Sequence, residues 1–97
     1  MQLQLIKNTE ARSSLGVGNT TFYEQLNAGL ITPAVKLGVH SVAWPKHEIQ
    51  AIVAARIAGK SDDQIKELVK QLVADRAKLP SIIDGFQSNQ QPVEAVQ

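Results

Sequence analysis

The sequence predicts a mainly α fold with a small β-hairpin, and three observations carry the prediction. Apolar residues recur at helical spacing, as in Phe22 and Leu26 and in Ile49, Ile52, Val53 and Ile57, with glycine punctuation at Gly16–Gly18, Gly29 and Gly59. Between Pro33 and Pro45 the period drops to two: Val35 and Leu37 flank Lys36, and Val42 and Trp44 flank Ala43. From Ser61 onward an apolar stripe of helical period follows a capping signal.

Each element has a local reason. Asn8 is placed to cap a short first helix running through about Ser14, with Ala11 and Leu15 facing inward and Leu3, Leu5 or Ile6 packing from an extended lead-in segment. A second helix is expected from Asn19 to about Ala28. Gly18 is its N-cap, Val17 and Phe22 form the hydrophobic pair that fixes the direction of the incoming chain, and Gly29 is the left-handed stop. Its first turn, Asn19, Thr20 and Thr21, is left polar. A DNA-reading helix needs such a leading end, because its first residues must reach base edges and its unpaired N–H groups can meet a phosphate.

Gly38–Ser41 supplies the connection of the hairpin, which reads as a wing. Pro45 suits the first turn of a third helix that buries Ile49, Ile52, Val53 and Ile57 and stops near Gly59. Ser61 and Gln64 form the capping box of a fourth helix, with Asp62 and Asp63 favourable to its dipole, and Leu79-Pro80 ends it. The organisation expected is residues 1–60 as the DNA-binding unit, 61–79 as an amphipathic helix, and 80–97, rich in Gln, Ser and Asn, as a mobile tail.

Composition narrows the function. With 97 residues and no cysteine, the chain is too small for an elaborate enzyme and has neither a disulfide framework nor a thiolate nucleophile. His40 and His47 lack the companions of a metal site, and no nucleophile elbow or phosphate loop occurs; neither cofactor nor metal is expected. No signal peptide and no membrane-length apolar run is seen, so a soluble cytoplasmic protein is expected. The net charge of +1 is unevenly spread: residues 1–60 hold six of the ten Lys and Arg but three of the nine acids, which places the basic surface in the N-terminal part.

Leu5-Ile6-Lys7 leading to Glu10, Gly16-Val17, Thr20-Thr21-Phe22-Tyr23, Gly29, Pro33, Val35-Lys36-Leu37-Gly38, Val42-Ala43-Trp44 and Glu48-Ile49 together resemble the AlpA family of phage and prophage regulatory proteins. The resemblance covers roughly Leu3 to Ile57. It implies a winged helix-turn-helix, here with an additional C-terminal helix, that binds double-stranded DNA to regulate transcription of phage or mobile-element genes. The alternative it implies is an excisionase-type directionality factor that bends DNA. Carried over by position, it assigns the reading helix to Asn19, Thr20, Thr21, Tyr23 and Glu24, and the wing to Lys36, Gly38, His40 and Ser41. Three cations of the family pattern are replaced here, by Asn19, Glu24 and His40.

The residues leave some roles open. Tyr23 can pack its ring on the wing or contact DNA, and Lys36 can neutralise a phosphate or be solvated. Trp44 is expected in the core. On the fourth helix, Ile65, Leu68, Val69, Leu72 and Val73 form a stripe that either makes a homodimer or folds back onto the domain. A reading from another class is an adaptor whose apolar helix and tail contact an integrase or RNA polymerase subunit.

Overall fold

In the computed structural model, which describes residues 3–80, the chain is mainly helical with a small antiparallel sheet. Strand β1 (Leu5–Ile6) leads into α1 (Asn8–Leu15) and α2 (Asn19–Asn27). Strands β2 (Val35–Lys36) and β3 (Val42–Pro45) follow, and then α3 (Lys46–Ile57) and α4 (Asp62–Asp75), which tightens into a 3-10 turn at Arg76–Lys78. The tail expected over 80–97 lies, apart from Pro80, outside the described residues.

The expected hairpin supplies two strands of a three-stranded sheet of order β1-β3-β2. Val35 pairs with Ala43 and Lys36 with Val42, while Leu5 pairs with Pro45 and Ile6 with Trp44 on the other side of β3. A two-residue strand is too short to show a period, so β1 is created by its partner. Pro45 sits at the last position of β3 and is the N-cap of α3, with ψ 125°, where the sequence suggested the first helical turn. The proline has no N–H to give, and the next residue closes the pairing: Lys46 N–H donates to the Gln4 carbonyl at 2.7 Å.

Glycine ends three helices in the same manner. Gly29, at φ 84°, lets its own N–H reach the Leu26 carbonyl and the Leu30 N–H reach that of Gln25, which satisfies the last carbonyls of α2. Gly16 and Gly59 repeat the arrangement for α1 and α3. The start of α1 differs from expectation. Lys7 is the N-cap, and the Asn8 side chain is inside the helix, used sideways to bond neighbouring side chains.

The capping box of α4 forms as read. Ser61 Oγ accepts from the Gln64 N–H at 3.2 Å, and Gln64 Oε1 accepts from the Ser61 N–H at 2.9 Å. Ser61→Ala is expected to lower stability by about 1 kcal/mol and Ser61→Gly by a few tenths, measured by urea unfolding. Leu79-Pro80, by contrast, does not stop the helical path: both residues are helical, as proline can be in a first turn.

Two apolar clusters hold these elements. Ile6, Ala11, Phe22, Ile31, Trp44 and Ile49 form the first, with the Phe22 and Trp44 rings edge-on at 5.1 Å. Trp44 donates its indole N–H to the Thr32 carbonyl at 3.0 Å. Leu30, Ile52, Ile65 and Val69 form the second, between α3 and α4, and Leu15 borders both. Ile57, expected in the core, is 82% exposed. At about 100° per residue it points about 140° away from Ile52, off the covered side of α3.

An ion pair that no local pattern announces joins the two ends of the fold. Glu48, on the first turn of α3, is fully buried and receives Arg76 through both oxygens, Nε to Oε2 at 2.8 Å and Nη2 to Oε1 at 2.7 Å. Arg76 Nη2 also donates to the Pro33 carbonyl at 2.7 Å, so one guanidinium ties the end of α4 to α3 and to the segment leading into β2. The hydrogen bonds to Glu48 hold the Arg76 guanidinium above its ordinary pKa, outweighing the opposing effect of its partial burial.

Candidate nucleic-acid interface

Helix α2 presents its first turn outward. Asn19, Thr20 and Thr21 are exposed, Gly18 is an extended N-cap whose carbonyl accepts from Phe22 N–H, and Phe22 anchors the turn from beneath at 0% exposure. Val17 packs beside the same cluster, so the approach angle of the helix is set by apolar contacts on one side and the polar turn is free on the other. Glu24, on the following turn, is exposed.

Tyr23 is 41% exposed, and its ring meets the edge of Phe22 at 5.4 Å. Its hydroxyl accepts from Asn8 Nδ2 at 3.2 Å, so the tyrosine is held by α1. Asn8 Oδ1 in turn accepts from Arg12 Nε at 2.9 Å, one helical turn further along α1. One residue before Asn8, Lys7 Nζ donates to Ser41 Oγ at 2.8 Å, which ties the start of α1 to the far end of the hairpin loop. Asn8 and Lys7 thereby bring Tyr23 of α2 and Ser41 of the hairpin to two adjacent residues, the first of α1 and its N-cap.

Lys36 is exposed on β2, opposite Val42 in the register. His40 is exposed in the loop, which closes where the Ser41 carbonyl accepts from Leu37 N–H at 2.8 Å and from Gly38 N–H at 3.3 Å. The sequence reading singled out the α2 and hairpin residues but not Lys7, Asn8 or Arg12. The only signal for them was the i, i+4 spacing of Asn8 and Arg12 and the cationic balance of this part of the chain. Lys7 brings positive charge to the hairpin loop from the N-cap of α1, and Arg12 brings it to Asn8, the residue that holds Tyr23. Lys7 uses one of its three N–H donors on Ser41.

The α4 stripe divides in two. Ile65 and Val69 are buried against Leu30 and Ile52 in the chain's own second cluster, whereas Leu68, Leu72 and Val73 are half-buried along its edge. That edge is the part of the stripe with surface left to share. Among the described residues no cluster of His, Asp or Glu could hold a metal ion, and no helix is long and apolar enough to cross a membrane.

The fold is that of a small, mainly helical protein with a three-stranded antiparallel sheet, an arrangement consistent with a helix-turn-helix-like fold. Over 59 residues, 61% of this chain and 67% of the relative, it is 36% identical to the phage protein "Uncharacterized protein ORF88" of Enterobacteria phage P4, and it belongs to the family of that protein. No protein-family profile matches the chain. No solved structure matches it.

Proposed function

We propose that this protein is a sequence-specific DNA-binding regulator of phage or mobile-element genes, a winged helix-turn-helix whose α2 reads the major groove while the β2–β3 hairpin lies along the backbone as the wing. The observation that carries this reading is the bonded frame at the start of α1. Lys7 to Ser41 and Asn8 to Tyr23 connect an exposed polar first turn of α2 to the hairpin, with Lys7 supplying charge at the hairpin loop and Arg12 at Asn8. The resemblance to the AlpA family and the kinship with a phage protein support the same reading. Asn19, Thr20 and Thr21 contact bases, Tyr23 and Ser41 are positioned beside the backbone, and Lys36 and His40 extend the contact through the wing.

Footprinting on the DNA that surrounds the gene tests the proposal. A protected site over a promoter supports regulation, tandem sites beside an integrase attachment site support the excisionase reading, and absence of salt-sensitive DNA binding leaves the adaptor reading. Lys36 provides a further check. Lys36→Ala is expected to weaken binding to all sequences alike and to reduce the slope of log affinity against log salt by about 0.9, as loss of one phosphate contact requires. An unchanged slope would place Lys36 on the solvated surface.

A further inference from the structure

On the face of the sheet away from Lys36 lies an apolar groove of about 510 Å³, lined chiefly by Leu3, Leu5, Val35, Pro45 and Leu79. Val35 and Lys36 are adjacent in a strand and point to opposite faces, so this groove is separate from the proposed wing contact. Leu3 is 40% exposed and Leu5 45%, so the groove leaves apolar surface of both open.

We infer that the groove is the docking site for this chain's own segment Ile82–Phe86, which lies outside the described residues. Leu79 already lines the groove, so the residues that follow Pro80 begin beside it. In the sequence, Leu79, Ile82, Ile83 and Phe86 fall at i, i+3, i+4 and i+7, the spacing of an apolar stripe, and Leu79 and Pro80 are helical. Beyond Phe86 the sequence turns to Gln, Ser and Asn, so its bulky apolar residues are concentrated where the groove is nearest. Tethering decides between this segment and a second copy: a short link gives a local concentration on the order of millimolar, far above the protein's own concentration in dilute solution.

The chain has no cysteine, which permits a clean test. Under mild oxidation of the full-length protein at low concentration, Leu5→Cys with Ile83→Cys is expected to form an intramolecular disulfide at least about tenfold faster than Leu5→Cys with Val96→Cys, the control in which the second cysteine lies outside the proposed docking segment. Ile82→Asp with Ile83→Asp is expected to lower Tm by about 4 °C or more, while Gln87→Asp with Ser88→Asp leaves it unchanged. Equal oxidation rates for the two pairs, disulfides that link only separate molecules, or an unchanged Tm in the Ile82 and Ile83 variant would each overturn the proposal, the second by showing that another copy fills the groove.

Discussion

Arg76→Ala is expected to lower folding stability by about 3–5 kcal/mol, because it leaves the fully buried Glu48 carboxylate without its partner. The magnitude follows from what remains after the change. Glu48 is at 0% exposure, and Arg76 meets both of its oxygens, so removal of the guanidinium strands a charge that water cannot reach without opening the fold. The Pro33 carbonyl loses its donor as well, which loosens the segment before β2. A domain of this size has about 5–15 kcal/mol of stability in total, so the loss is a large share of it and appears as a fall in Tm of about 4–8 °C per kcal/mol. Glu48→Met combined with Arg76→Met should recover most of the loss, since two apolar side chains of similar volume bring no charge into the interior. Urea unfolding of the single and double variants reads both effects. A loss below about 1 kcal/mol in Arg76→Ala would mean that Glu48 is not held by this pair.

The same ion pair marks where sequence reading reaches its limit in this chain. Features set by neighbours in sequence were legible: the Ser61–Gln64 box, the left-handed glycine stop of α2 and the Gly18 cap all arise from interactions spanning a few residues, whereas the two-residue alternation expected in the hairpin is not kept, since Ala43, Trp44 and Pro45 are all buried and Val42 is exposed. Glu48 and Arg76 are 28 residues apart, and nothing beside either one distinguishes it from a solvated charge. Strand β1 was missed because two residues carry no periodicity, and Ile57 was misplaced because a helical stripe says which side is apolar but not how far the covering elements extend. At the candidate interface the contrast repeats. The polar turn at Asn19–Thr21 follows from a local cap and staple, whereas the roles of Lys7, Asn8 and Arg12 depend on α1 lying against both α2 and the hairpin.

On the proposed reading, Asn19→Ala should cost about 1–3 kcal/mol of discrimination at a single base pair, roughly 5- to 150-fold in affinity for the preferred site over its variant. Asn19 is the first residue of α2 and is exposed, so alanine there keeps the helix and removes only the carboxamide. A carboxamide can accept and donate at once to an adenine edge, which a methyl group cannot do, and for that reason the loss should fall on one position of the site. Lys36→Ala, in contrast, should weaken every sequence by the same factor, so the two variants together separate base reading from phosphate contact. Titrations against the footprinted site and a set of its single-base variants measure this directly. A uniform loss across the set would make Asn19 a backbone contact, and full retention of discrimination would remove α2's first residue from the reading surface.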